Sequence, residues 1–220
     1  MKKTAGLTCF LFVLIFVSIF STSCADSLIG SVLTLGQWES HALNWTVLAV
    51  DGDRALLYLD GCLASQPYNT ENKAVTWQTC TLRQWLQNVF CPGAFSPAEA
   101  AAICTVMIDN PVTYGTYGGE GTLDSVFLLS RSELEAFFPV LKDRKTSMLT
   151  MPDLSAKAGT VAFVSPYDLA SPYWLRSPGV DEKHASCVSW SGVIESHAIK
   201  AGDIAVRPAV WVDLTVLGVK

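Results

Sequence analysis

The N-terminal segment constrains this chain most, because it has the pattern of an export signal and leaves the rest of the chain as a separate folding unit. Lys2 and Lys3 precede an apolar run, Leu7 to Phe20, and small polar residues follow it. A cationic stretch, an apolar stretch and a small-residue exit are the three parts of a secretory signal peptide. The apolar run is shorter than the roughly 20 residues of a membrane-spanning helix. Ser23 and Ala25 have the small side chains that the cleavage rule requires, so we predict cleavage after Ala25.

Two other interpretations of this segment stay open. In one, Cys24 is the lipid-bearing first residue of a mature lipoprotein, although Ser21 stands where such signals usually have a branched apolar residue. In the other, the segment is an uncleaved anchor. Cleavage and lipidation differ in whether a lipid holds the protein to a membrane. Both place the domain outside the cytoplasm, and we predict a secreted or cell-surface protein.

The length and charge of residues 26–220 indicate one domain with a full core. The signal contains two Lys and no acid, so Lys plus Arg falls from 15 to 13 against 20 Asp plus Glu, a net charge of −7. An acidic surface repels nucleic acid and anionic membranes. We therefore predict no nucleic-acid partner and no membrane span in the mature chain.

The cysteine count does not assign any disulfide. Five cysteines follow the signal: Cys62, Cys80, Cys91, Cys104 and Cys187. Export permits disulfides, but an odd number leaves at least one thiol unpaired. No pair has CxxC spacing, and the alternative is that all five are small, buried apolar groups.

Short strands are predicted along the whole domain. Trp45 to Val50 and Arg54 to Leu59 are β-rich runs around a Gly-containing turn, which predicts a hairpin. Further strands are predicted at Val126 to Leu129, Val161 to Val164, Cys187 to Trp190 and Ile204 to Val212. Pro208 lies inside the last run, so we expect an edge or bulge there.

Three capping boxes predict helix starts, at Thr81, Ser96 and Ser130. The first leads to an apolar stripe at helical spacing, formed by Leu82, Trp85, Leu86, Val89 and Phe90. After the second box, Ile103 and Met107 are predicted to face inward. The third helix is predicted to end at Pro139.

Several motifs together resemble a known family. In chain order they are Thr34 to Trp38 (TLGQW), Asn44 to Leu48 (NWTVL), Ala55 to Leu57 (ALL), Thr76 to Gln78 (TWQ), Leu82 to Leu86 (LRQWL), Thr122 to Ser130 (TLDSVFLLS), Tyr173 to Gly179 (YWLRSPG) and Val206 to Trp211 (VRPAVW). Their order, from about Leu33 to Leu214, resembles the bacterial family of domains of unknown function numbered 6273. Tyr173 and Ala205 depart from its pattern, where Trp and Gly are usual. The resemblance implies an exported or surface-associated domain with no assigned reaction.

The closing Arg-Pro pattern and the scattered Trp residues are also similar to C-type-lectin-like and formylglycine-generating-enzyme-like folds. We therefore expect an α+β fold: a single compact domain of short antiparallel strands with two or three helices and long loops, C-type-lectin-like. A fold analogy does not define a function.

The candidate ligand-binding residues are Trp174, Arg176, Ser177, Arg207 and Trp190. In the functional interpretation, the guanidinium of Arg176 is held beside a Trp face and meets a carboxylate or a sugar hydroxyl. In the structural interpretation, Arg176 and Arg207 bond loop carbonyls and stabilise the fold, and this is the favoured reading.

The seven Trp residues divide by position. Trp38, Trp174 and Trp190 lie near predicted loops and are the candidates for exposure. The others are expected in the core: Trp45, Trp77, Trp85 and Trp211.

Catalytic and metal motifs are weak in this sequence. A Cys nucleophile needs a nearby His, and no local signature singles out such a pair. No GxSxG motif or calcium loop is present, and His184 with Cys187 does not complete a zinc set. We predict a non-enzymatic binding domain without a cofactor, for a glycan or a surface protein. The alternatives are an extracytoplasmic hydrolase or Cys-dependent enzyme, and a structural module of the cell envelope.

Overall fold

The computed structural model of the protein describes residues 28–148 and 169–219. The predicted signal segment, Cys24 and the predicted strand Val161 to Val164 lie outside these ranges. The strands are β1 Val32–Trp38, β2 His41–Asp51, β3 Arg54–Leu59, β4 Leu63–Ser65, β5 Ile103–Cys104, β6 Val106–Ile108, β7 Thr122–Asp124, β8 Val126–Phe127, β9 Tyr173–Pro178, β10 His184–Val188, β11 Ile194–Ala198, β12 Ala205–Val206 and β13 Ala209–Asp213.

The helices are short. They are α1 Thr81–Trp85, a π-helical turn Leu86–Phe90, α2 Cys91–Ala94, α3 Pro97–Ala100, α4 Arg131–Phe137 and α5 Leu141–Arg144. The first three of these follow one another without a break.

Most strands belong to two curled sheets. In the first sheet the order is β1-β2-β3-β13, and both β5 and β8 pair with the free side of β13. In the second sheet the order is β11-β10-β9-β12-β4, and β9 runs parallel to β12. Strands β6 and β7 form a separate antiparallel ribbon.

The predicted hairpin is confirmed. Strands β2 and β3 are antiparallel, with Asp51 opposite Arg54, and Gly52 opens the two-residue turn between them. Gly52 has φ +60°, a left-handed conformation that favours glycine because it lacks a Cβ.

The two sheets share one bent ladder. Strands β3 and β4 run on through the corner between the sheets, and β12 and β13 pair with them on both sides of it. Ala209 lies opposite Tyr58 in the first sheet, and Val206 lies opposite Leu63 in the second. The prediction of a single strand from Ile204 to Val212 is wrong in this respect, because the chain changes sheets at Pro208.

Pro208 interrupts the ladder, and the preceding arginine repairs it. The amide of Leu59 donates to the carbonyl of Pro208 at 3.1 Å. The reciprocal bond cannot form, because proline has no N–H. Instead Nε of Arg207 donates to the carbonyl of Leu59 at 2.8 Å. The buried corner therefore keeps both backbone groups of Leu59 hydrogen-bonded.

Two of the three predicted capping boxes are confirmed. Ser96 with Glu99 and Ser130 with Glu133 form reciprocal boxes at the starts of α3 and α4. The prediction of a capping box at Thr81 is wrong, because Cys80 is the N-cap and its sulfur accepts a hydrogen bond from the amide of Arg83.

Two predictions of inward-facing residues are wrong. Val89 is 48% exposed, since the π-helical turn rotates it away from the stripe. Met107 is 62% exposed, because α3 is a single turn and the chain then enters β5 and β6. The helix from Arg131 ends at Phe137, before Pro139, as predicted.

The result is a small, mostly β domain with few helices, so the strand content exceeds what an α+β fold implied. Large side chains fill its core, among them the fully buried Trp45 and Trp77. Within the described ranges, no helix has the length and apolar character needed to cross a membrane.

A buried carboxylate attaches α1 to the β6–β7 ribbon. Asp124 is fully buried and accepts from the indole N–H of Trp77 at 2.8 Å and from the hydroxyl of Thr122 at 2.9 Å. Arg83 completes its set of partners, with Nε at 2.7 Å. Asp124 therefore fixes local structure through hydrogen bonds and an ion pair.

Substitution of Arg83 by Met should leave Asp124 buried without its cation. We expect the free energy of unfolding, measured by urea denaturation, to fall by about 3–5 kcal/mol. Arg54→Met is the matched control, because Arg54 pairs with Asp51 at the surface, where both side chains are largely exposed. An equal fall in the free energy of unfolding for the two variants would contradict the role of Asp124 as a buried carboxylate that needs the cation of Arg83.

Candidate functional site

A row of side chains crosses one face of the second sheet. Cys187 of β10 lies directly opposite Glu195 of β11 on one side and Trp174 of β9 on the other. Residues directly opposite each other in antiparallel strands project from the same face. His197, two residues after Glu195, also projects from this face, and its ring lies 6.3 Å from that of Trp174 between centroids.

A tight turn between β10 and β11 places Trp190 at the edge of this row. The amide of Ser189 donates to the carbonyl of Val193 at 2.8 Å, and Gly192 adopts φ +87°. A Cβ at Gly192 would lie 2.1 Å from the carbonyl oxygen of Leu141, so only glycine fits against α5 there. Trp190 consequently stays 44% exposed.

The row and the turn enclose a pocket of about 180 Å³. Trp190 forms one wall, Cys187 lies among the buried lining residues, and Glu195, His197 and Asp203 supply the polar groups. The pocket therefore combines an exposed indole with two carboxylates and an imidazole. We call it the Trp190 pocket.

Two larger depressions have no Trp among the described residues that line them. One, of about 610 Å³, lies between Tyr117 and the turn that contains Asp181. Tyr117 already bonds Glu120, and Asp181 already pairs with Nδ1 of His184 at 2.7 Å. A second, of about 500 Å³, contains Glu99, whose carboxylate accepts from the amides of Gly36 and Ser96. In contrast, no ion pair or hydrogen bond engages the carboxylates of Glu195 and Asp203 within the described part of the chain.

The Cys187 thiol is not an activated nucleophile. Burial, followed by the negative charges of Glu195 and Asp203, raises the pKa of Cys187 to about 12. The thiolate is the reactive form of cysteine, and an adjacent His⁺ would lower the pKa instead. Cys187 and His197 thus share a pocket without forming the pair that a Cys-dependent enzyme requires.

The other cysteines are likewise free thiols. Burial raises the pKa of Cys62 and of Cys80 to about 12, and raises that of the half-buried Cys91. None of the five cysteines in the described ranges forms a disulfide. His184 and Cys187 do not complete a zinc set in the sequence, and the strand also separates them: they are three residues apart and so project from opposite faces.

Trp174 is buried, and the prediction of its exposure is wrong. Its indole N–H donates to the carbonyl of Gln66 at 2.8 Å, and its ring also contacts Tyr68. Because His197 packs against it, Trp174 supports the pocket from below. Trp190 is exposed as predicted, and Trp38 is half-buried.

Arg176 connects three segments of the chain. Its guanidinium donates to the carbonyls of Asp109 and Leu128 and forms a bidentate pair with Glu133. Burial opposes ionisation of Glu133, but the hydrogen bonds and charge of Arg176 outweigh it and lower the pKa of Glu133. The geometry fits the structural interpretation, and ligand binding by Arg176 stays a prediction.

Ser177 and Arg207 also have structural contacts. The hydroxyl of Ser177 accepts from the amide of Arg131 at 2.9 Å, at the start of α4. The guanidinium carbon of Arg207 lies 4.0 Å from the ring centroid of Tyr58, and Nη1 has no hydrogen-bond partner within the described ranges. Both residues are buried, and contact with a ligand stays a prediction for them.

The predicted site residues therefore do not form one cluster. Of the five, only Trp190 lines the Trp190 pocket, while Trp174 lies beneath it. The sequence reasoning missed Glu195, His197 and Asp203. The alternation of Ile194 to Ala198 next to a Ser-Gly turn was an available signal, because alternate residues of a strand share a face.

A family model described as Domain of unknown function (DUF6273) matches residues 52–214. No curated protein and no solved structure matches the chain.

Replacement of Arg176 by Met should leave the carbonyls of Asp109 and Leu128 without donors and Glu133 without its cation. We expect a loss of about 3 kcal/mol in the free energy of unfolding, measured by urea denaturation. Lys73→Met is the control, because Lys73 pairs with Glu71 on the surface. A folded Arg176→Met protein of unchanged stability would contradict the structural role.

Burial predicts which thiols react, because Cys62, Cys80 and Cys187 are buried whereas Cys91 and Cys104 are only partly buried. At pH 8, we expect a thiol-specific reagent to modify Cys91 and Cys104 in the native protein while Cys62, Cys80 and Cys187 stay protected. Removal of Cys104 by substitution with Ser should lower the number of reactive groups, whereas Cys187→Ser should not. Rapid modification of Cys187 would instead indicate an activated nucleophile.

Proposed function

We propose that this chain, which belongs to the DUF6273 family, is an exported bacterial protein that binds a glycan through the Trp190 pocket. Export is supported by the N-terminal pattern of Lys2 and Lys3, an apolar run and small residues before Ala25. The lipid-anchored form at Cys24 is the variant of this proposal in which the domain stays at the cell surface.

The observation that carries glycan binding is the composition of the Trp190 pocket. An exposed indole face stacks on the C–H face of a sugar ring, while carboxylate and imidazole groups accept hydrogen bonds from its hydroxyls. Trp190, Glu195, Asp203 and His197 provide these groups in one small cavity. The groups are ready for a ligand, because the carboxylates have no protein partner in the described residues.

Binding without catalysis is supported by the state of the polar groups. The thiol of Cys187, whose pKa is about 12, stays protonated at neutral pH. Glu195 and Asp203 are both exposed to solvent, whereas the catalytic acid of a glycosidase is typically held in an apolar environment. A pocket of this kind binds a hydroxylated ring but lacks an activated attacking group.

The proposal includes a C-type-lectin-like fold. Short strands in curled sheets, few helices and long connections such as residues 109–121 support it. The likeness is one of architecture and carries no information on the ligand.

A protein partner is the second candidate function. Met107 of β6 lies opposite Leu123 of β7, and these side chains are 62% and 61% exposed. Exposed apolar pairs on a ribbon favour contact with another protein, as in a module of a cell-envelope assembly.

A glycan array should distinguish the two functions. We expect the purified mature protein to bind a restricted set of glycans, and Trp190→Ala to lose that binding by tenfold or more, about 1.4 kcal/mol. Tyr117→Ala is the matched control, because Tyr117 is 52% exposed but lines a different depression.

Folding of each variant is checked by circular dichroism before the array is read. Absence of glycan binding by the folded wild-type protein would contradict the proposal, and a protein partner that needs Met107 and Leu123 would then be favoured. Turnover of a glycan that a single substitution in the pocket abolishes would contradict the non-enzymatic part.

A further inference from the structure

Among the described residues, the charged groups that line the Trp190 pocket are carboxylates. Glu195 and Asp203 line the cavity, and neither Lys nor Arg is among its described lining residues. In the described chain, neither carboxylate is paired with a cation. A ligand that closes the pocket will partly remove these carboxylates from water, which costs free energy unless the ligand supplies an opposite charge.

The two carboxylates share one cavity with the thiol of Cys187. Glu195 lies opposite Cys187 in the paired strands, Asp203 lines the same cavity, and the charges of both help to raise the pKa of Cys187. This side chain is 2% exposed, lines the cavity and has no hydrogen-bond partner among the described residues. The cavity therefore has a negative potential near a thiol that no described residue engages in a hydrogen bond.

Trp190 adds a second attraction for positive charge. The face of an indole ring is negative, and an ammonium group within about 6 Å of its centroid is stabilised by that quadrupole. The same face packs against the C–H groups of a sugar ring. A ligand with both features, an ammonium group on a sugar ring, would use the indole and the carboxylates together.

The size of the pocket limits the ligand to one such group. Its volume of about 180 Å³ lies below the roughly 300–1,000 Å³ of pockets that enclose drug-sized ligands. We expect a terminal sugar to enter while the rest of the glycan stays outside.

We infer that the Trp190 pocket binds an amino sugar with a free ammonium group, held by Glu195 and Asp203 against the face of Trp190. This inference rests on the proposed glycan-binding function and names its ligand class. The net charge of −7 predicted for the mature chain favours the approach of such a cation. Salt screens this long-range attraction and so weakens it.

Titration calorimetry with three monosaccharides tests the inference. The probes are methyl glucosaminide, methyl N-acetylglucosaminide and methyl glucoside, at pH 7, where the free amine is mostly protonated and imidazole groups are mostly neutral. We expect the free amine to bind the mature protein about tenfold more tightly than the other two. Glu195→Gln and Asp203→Asn should each lower this preference for the free amine several-fold.

Glu182→Gln is the matched control, since it removes the same charge from a different depression and should leave the preference intact. Equal affinity for all three sugars would overturn the ammonium inference and leave glycan binding standing. If tetramethylammonium bound as tightly as methyl glucosaminide or more tightly, the inference that the ligand contains a sugar ring would be overturned. Failure of all three sugars to bind, together with a negative glycan array, would overturn the proposed function itself.

Discussion

The corner at Arg207 and Pro208 is the constraint on which the two sheets depend. A proline in a paired strand leaves one backbone carbonyl without a donor, and a buried carbonyl without a partner is costly. Here Nε of Arg207 donates to the carbonyl of Leu59, so the chain can bend without losing that bond. The ladder continues on both sides of the bend, and the first sheet passes directly into the second. The guanidinium stays charged in this buried place, with the rings of Tyr58 and Tyr173 around it.

The position of the Trp190 pocket follows from this corner. Strand β12 leaves the corner and pairs with β9, and β9 in turn pairs with β10 and β11. Because Cys187 pairs with Trp174 on one side and with Glu195 on the other, these three residues form a row across one face. The turn after β10 then carries Trp190 beyond the row. The buried Trp174 and Cys187 thus lie beneath the exposed Glu195, His197 and Trp190.

Buried ion pairs hold the loops against this framework. Arg83 with Asp124 and Arg176 with Glu133 each connect a helix to distant backbone. Burial of an ion pair costs desolvation free energy, which is offset only when hydrogen bonds also satisfy the remaining polar atoms. Both arginines form such additional hydrogen bonds to backbone carbonyls. Arg176, a candidate ligand-binding residue in the sequence, is therefore engaged within the protein.

Local sequence determined the local structure of this protein. The hairpin around Gly52 and the capping boxes at Ser96 and Ser130 were predictable, because each depends on residues that are neighbours in the chain. Thr81 was misassigned because Cys80, with its sulfur, occupies the cap instead.

Only the tertiary structure decided which side chains meet and which are exposed. Trp174 and Trp190 both lie near Ser, Pro or Gly residues in the sequence, yet one is buried beneath His197 and the other is open to solvent. Glu195 and Asp203 could not be selected from 20 acidic residues, since Glu195 reaches the pocket through the pairing of β11 with β10, and Asp203 through the loop before β12. The sequence alone determined turns and caps that depend on neighbouring residues, whereas the site required long-range pairing that no short stretch of sequence encodes.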